Sequence, residues 1–191
     1  LGFKVGNYLE IEETLECLQG KGPEDVMELT YELASRMAVF GGKAKDTEEG
    51  KSKCKEAVKS GEALKKFLEN VKAQGGNPDK LLSEQGKRRS NFKSELFAKQ
   101  DGFLTVDAYK TGIACINLGV GRNKSSDKVD ADSGIIFCRR QGDFVKKGEK
   151  LLEVYGKNPD ALESGKQQLK AALDFCEEKP EEKKLILKEI K

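Results

Sequence analysis

The chain has 191 residues, 35 Lys+Arg against 33 Asp+Glu, a net charge of +2 and no His; it is long enough to bury a core without disulfide or metal staples. Interspersed charges of nearly equal number leave no basic footprint for nucleic acid, and without imidazole the chain lacks the usual general base and the centre of most nucleophilic triads. Five widely spaced cysteines, Cys17, Cys54, Cys115, Cys138 and Cys176, form no C-x-x-C pair and read as reduced thiols; with no signal peptide and no apolar run of roughly 20 residues, a soluble, cytoplasmic protein with no membrane partner is expected.

The chain begins without Met, and Leu1-Gly2-Phe3 leads at once into a helix start, an opening that reads as the middle of an enzyme domain with further chain ahead of it. Asn7 as cap and Glu10 three residues on make a capping-box-like start for a helix over 8–18, which Gly20 ends. Pro23 with Glu24 and Asp25 starts a second helix, in which Val26, Leu29, Leu33, Met37 and Phe40 form a stripe that reads as core until Gly41-Gly42. Asp46 or Thr47 caps a third, charge-rich helix to about residue 59, and Ser60 a fourth carrying Leu64, Phe67, Leu68 and Val71. Four helices without a strand suit either a small bundle or the tail of an α/β domain whose sheet lies upstream.

Residues 77–91 are polar, hold Pro and Gly and break the periodicity, so a linker is placed there, with Lys87-Arg88-Arg89 either solvated or touching a phosphate. From Phe92 the pattern turns to strands. Leu96-Phe97-Ala98 and Phe103-Leu104-Thr105-Val106 flank Asp101-Gly102, a hairpin signal, and Asp107 caps a helix over 108–118 ended by Gly119. Gly119-Val120-Gly121-Arg122 with the following Asn123 to Ser126 is either an anion cradle or a structural turn; it follows a helix C-terminus, the wrong end for a phosphate loop. Residues 134–139 read as a buried strand, Gln141-Gly142-Asp143 as a turn, and 144–155 as a second hairpin bent at Gly148. Residues 159–175 return to helix, and 185–190 alternate as a closing edge strand. No P-loop, G-x-S-x-G elbow, H-E-x-x-H helix or dinucleotide fingerprint occurs.

The expected fold class is therefore α+β: a helical segment over 1–76, a linker over 77–91 and a C-terminal α+β domain over 92–191. In that domain Gly142-Asp143-Phe144-Val145-Lys146-Lys147-Gly148-Glu149 resembles the half-motif of biotinyl and lipoyl barrel-sandwich hybrids, yet the Lys beside Met at a hairpin tip that a swinging-arm carrier needs is missing.

Three blocks in order carry a wider resemblance: Leu1-Gly2-Phe3-Lys4-Val5-Gly6-Asn7-Tyr8-Leu9-Glu10-Ile11 with Gly20-Lys21-Gly22-Pro23-Glu24-Asp25; Asp101-Gly102-Phe103 with Leu118-Gly119-Val120-Gly121-Arg122; and residues 142–149. Together they resemble the C-terminal part of the pyrimidine-nucleoside phosphorylase family, which includes thymidine phosphorylase. The resemblance implies a pentosyltransferase that cleaves thymidine, uridine or deoxyuridine with inorganic phosphate as co-substrate, giving free base and pentose 1-phosphate. It implies no organic cofactor, a homodimer formed through a helical domain outside this chain, and catalytic residues that all precede Leu1. It also implies a potassium or calcium ion held by backbone carbonyls of Leu1 and Lys4 and by the Glu13 carboxylate; the family often has a small residue where Lys4 stands, a change that a backbone ligand tolerates. Two rival readings stay open. One is a non-catalytic interaction module, which requires no apolar patch on the first two helices; the other is a phosphate or nucleotide module built on residues 119–126.

Overall fold

The computed structural model describes residues 2–122, 124–181, 184–188 and 190. The chain divides into two compact units. One gathers Phe3–Ile11 and the described residues of 88–183; the other gathers Gly2, Glu12–Lys87 and the described residues of 184–191.

The first unit is built on two antiparallel sheets. Strands β1 (Lys4–Val5), β4 (Gly134–Phe137), β6 (Lys150–Gly156) and β2 (Phe92–Phe97) form one, in the order β1-β4-β6-β2; β5 (Phe144–Val145), β3 (Gly102–Val106) and β7 (Leu173–Cys176) form the other, in the order β5-β3-β7. Helix α6 (Ala108–Leu118) packs on α7 (Pro159–Ala172), and α7 lies against β2 and β6. Gly165 makes the helix pair close, because a methyl there would run into Leu118. Leu104, Leu118, Ile135, Leu152, Val154 and Leu169, all without exposed surface, fill the space between sheets and helices.

Local signals set the helix starts of this unit. The Asp107 carboxylate accepts from Lys110 N at 3.0 Å and the Asn158 side chain from Ala161 N at 2.8 Å, each relieving an N–H that the first turn leaves unpaired. Gly119 ends α6 at φ 107°, a conformation that favours glycine.

Strand pairing departs from expectation. β2 and β3 do not form a hairpin across Asp101-Gly102: β2 pairs with β6, and β3 with β5 and β7. β5 and β6 likewise part into different sheets, so 144–155 is a bent crossover and not a second hairpin. The sheets stay α+β without a closed barrel among the described residues. α7 stops at Ala172, and the chain turns extended to make β7, the edge strand that the sequence places at 185–190. Among the described residues of 185–190 no strand forms, and Glu189 lies outside them.

The second unit is helical. It holds the C-terminal turns of α1 (Asn7–Leu18), then α2 (Glu24–Phe40), α3 (Thr47–Lys59), α4 (Glu62–Ala73) and α5 (Pro78–Glu84). Asp46 caps α3 as read, whereas Gly61 and not Ser60 precedes α4. α5 occupies part of the stretch read as linker, with Asn77 accepting from Lys80 N at 2.9 Å. α2 and α3 meet where Gly50 lies against Ser35, a contact that any side chain at 50 would separate.

Candidate functional site

The opening residues fold as strand, glycine, helix. Phe137 N donates to Phe3 O at 2.7 Å, and Lys4 stands opposite Ile136. Pairs alternate along an antiparallel ladder, so Lys4 occupies a non-hydrogen-bonded position and its own carbonyl points to the side away from β4. β1 is a sheet edge, which leaves that side uncovered by another strand. Gly6 N, and not that of Asn7, donates to the Glu10 carboxylate at 3.1 Å; the Asn7 amide instead reaches Val120 O at 2.9 Å. Only the acid-to-amide half of a capping box is present, one residue earlier than the sequence placed it, since Gly6 has no side chain to return the bond.

Glu12 and Glu13, neighbours on α1, are both buried, at 1% and 7% exposure. Successive helical residues point about 100° apart, and the two acids have different surroundings. Glu12 accepts from Gly86 N at 2.7 Å, tying α1 to the turn after α5. The Glu13 carboxylate lies against the backbone of Gly2, where a methyl would overlap it. Of the expected ion ligands, Lys4 is buried in β1, Glu13 is buried on α1, and Leu1 lies outside the described residues. The burial of Glu12 had no counterpart in the sequence reading, since the helix is acid-rich and only its partner, Gly86, sets it apart.

The other candidate groups have structural employment. Arg88 pairs with Asp132 and covers the Tyr8 ring at 4.8 Å, and Arg89 lies over Tyr155 at 5.9 Å. In the glycine-rich loop, Gly119 O accepts from the backbone N of Asp130 at 2.8 Å and the Asp127 carboxylate accepts from Lys124 N, so these groups of the loop serve its own turns; Asn123 lies outside the described residues. Burial pushes the Cys115 thiol up to about 12 and the Cys138 thiol upward, which holds both as unreactive thiols near neutral pH.

The stripe on α2 corrects the expectation that it is core. Leu33, Met37 and Phe40 are 56%, 72% and 88% exposed. They share one face of the helix by their spacing. The patch that a self-contained interaction module must lack is therefore present.

Residues 104–175 match the family model of the pyrimidine nucleoside phosphorylase C-terminal domain. The chain is 36% identical over 156 residues to the pyrimidine-nucleoside phosphorylase of Bacillus subtilis, covering 81% of this chain and 36% of that protein. It is 33% identical to the thymidine phosphorylase of Metamycoplasma hominis, over 94% of this chain and 66% of that protein. To the pyrimidine-nucleoside phosphorylase of Geobacillus stearothermophilus it is 35% identical, over 88% of this chain and 39% of that protein. It thus spans between about a third and two thirds of the length of these relatives. With matches of this extent, the chain belongs to the pyrimidine-nucleoside phosphorylase family, as its C-terminal part.

Proposed function

We propose that this chain is the C-terminal part of a pyrimidine-nucleoside phosphorylase, a pentosyltransferase that splits thymidine, uridine or deoxyuridine with inorganic phosphate. A phosphate oxygen forms the new bond to the anomeric carbon as the glycosidic C–N bond breaks; the base leaves with the electron pair and takes up a proton, giving free base and pentose 1-phosphate. The transition state is oxocarbenium-like, and domain closure aligns the reactants and excludes water. The reacting groups belong to the part of the enzyme ahead of this chain. The residues here stiffen one side of that clamp.

The observation that carries this reading, beside the kinship, is the exposed face of α2. An amphipathic helix in a finished domain turns its apolar stripe inward, and this one presents Leu33, Met37 and Phe40 to solvent. Such a face fits a helix layer whose opposing layer is supplied by the preceding part of the enzyme. The test follows base release by absorbance, with thymidine and uridine, in the presence and absence of phosphate. The chain alone should show no turnover, and addition of the preceding part as a separate polypeptide should restore it. Phosphate-dependent turnover by the chain alone would place a complete active site within these residues and end the proposal.

A cation, potassium or calcium, belongs to the same reading. Its ligands would be the carbonyls of Leu1 and Lys4 and the carboxylate of Glu13. A hard cation takes oxygen donors, the Lys4 carbonyl points away from its ladder partner, and Glu13 is a buried acid at a backbone too close for a side chain. Bound there, the ion would supply fixed positive charge and hold the β1-α1 opening. In the full-length enzyme, Glu13→Gln should raise the cation concentration needed for half-maximal activity at least tenfold; an unchanged cation dependence removes Glu13 from the set. The full-length enzyme is further proposed to be a cytoplasmic homodimer joined through its helical domain. Among the described residues no helix is long and apolar enough to cross a membrane.

A further inference from the structure

Helix α7 and the edge strands β2 and β7 border a recess of about 500 Å³, well within the size of small-molecule sites. Leu96, Leu151 and Leu173 contribute its floor and are themselves members of the packed core, so the floor is apolar and fixed. Phe97 and Phe175 stand at its walls; Phe97 is 53% exposed, a large aromatic surface left uncovered beside an apolar recess.

The rim is cationic. Lys166 and Lys170, four residues apart on α7, line it together with Lys99. Among the described residues neither Lys166 nor Lys170 has an ion-pair partner. Lys99 reaches Asp174 at 3.8 Å, with both side chains largely in water, a weak pairing. Glu95, the acid among the lining residues, is already shared by Lys93 and Lys150. A second recess of about 520 Å³ adjoins the first; the two share Lys99, Lys170 and Leu173, and Thr105, Asp107, Lys110, Gln141 and Asp174 line the second, where Asp107 pairs with Lys110 and Asp174 with Lys99. The two lysines therefore stand where an apolar compartment gives way to a polar one.

We propose that this recess binds a medium-chain monocarboxylate, its hydrocarbon against the leucine floor and its carboxylate between Lys170 and Lys99 or Lys166. The charge selects the occupant: a neutral hydrocarbon leaves the lysines unanswered, and a small inorganic anion leaves Phe97 uncovered.

The experiment titrates octanoate into the 191-residue chain below its micellar range, reading methyl and amide chemical shifts and heats of binding, with octan-1-ol and inorganic phosphate as comparison probes. Octanoate should shift Leu173, Phe175 and Phe97 and bind at least tenfold more tightly than either comparison probe. Lys166→Glu with Lys170→Glu should weaken it at least tenfold, and Lys170→Gln alone gives the same reading in milder form if charge reversal disturbs the fold. Equal binding of octanoate and octanol, unchanged affinity in the lysine variants, or shifts confined to the α2 face at Leu33, Met37 and Phe40 would overturn the assignment. None of these readouts involves phosphorolysis, so they stand apart from the outcome for the enzyme as a whole.

Discussion

Glu153 on β6 accepts from Lys150 Nζ at 2.8 Å and Tyr155 Oη at 2.7 Å, with Lys93 Nζ 3.3 Å away. The Lys150 and Tyr155 donors hold its carboxyl down at about 2, against an ordinary 4.5 and against the opposing effect of burial. A carboxyl whose pKa is lowered by folding stabilises the native state above its unfolded value, and that stabilisation drains away as pH falls through the window between about 4.5 and 2. Glu153→Gln should lower stability near neutral pH by about 1–2 kcal/mol, a figure already reduced for solvent screening of a surface-facing network. The penalty should shrink through the acid window and vanish at its lower end. Urea midpoints for both proteins across that range read the effect directly, and parallel acid limbs would show that Glu153 is not the titrating group. At the neighbouring strand, Gly134 has φ 152° and lies so close to the Val5 carbonyl that a methyl would overlap it. This close approach is what lets the two-residue β1 reach the sheet.

At the scale of elements, the informative contrast lies between α2 and α7. Both carry apolar residues at helical spacing, yet Leu169 of α7 has no exposed surface while Phe40 of α2 is 88% exposed. Leu169→Ala should cost about 2–5 kcal/mol, as lost burial and a residual cavity dictate, whereas Phe40→Asp in this chain should fall within about 0.5 kcal/mol of neutral. Chemical denaturation of the two variants separates them; a large cost at Phe40 would mean that its face is covered. Periodicity tells which face of a helix wants cover, and cannot tell whether this chain provides it. The starts of α3 and α6 were legible because Asp46 and Asp107 act on N–H groups three residues away. Strand partners were not, because the Asp101-Gly102 turn signal is local while the partners of β3 and β2 are β7 and β6, more than fifty residues on. The expectation of ion ligands rests on the family resemblance alone: Glu13 is one acid among several on its helix, and its approach to Gly2 depends on how the chain folds back.

For the whole molecule, burial is distributed unevenly between the two units. Leu104, Leu118, Ile135, Val145, Leu152, Val154 and Leu169 anchor the unit with the sheets, while among the described residues of the helical unit Leu15 is the fully buried apolar side chain, alongside Ser35 and the acids Glu12 and Glu13. Apolar burial is the main favourable term in folding, and helices of this length draw most of their stability from tertiary packing. Charged pairs such as Lys53 with Glu49 and Lys65 with Glu62 are exposed and add little. Opening free energies within one chain follow local packing, so the helical unit should unfold first. Urea denaturation should show two transitions: an early loss of helical ellipticity, then a later one carrying the sheets. Amide exchange should be fast in α2, α3 and α4 and slow in β4, β6 and α7. A single transition with uniform protection would mean that the units unfold as one. If instead α2 gains protection selectively when the preceding part of the enzyme is added, the exposed stripe is the surface through which that part stabilises the helical unit.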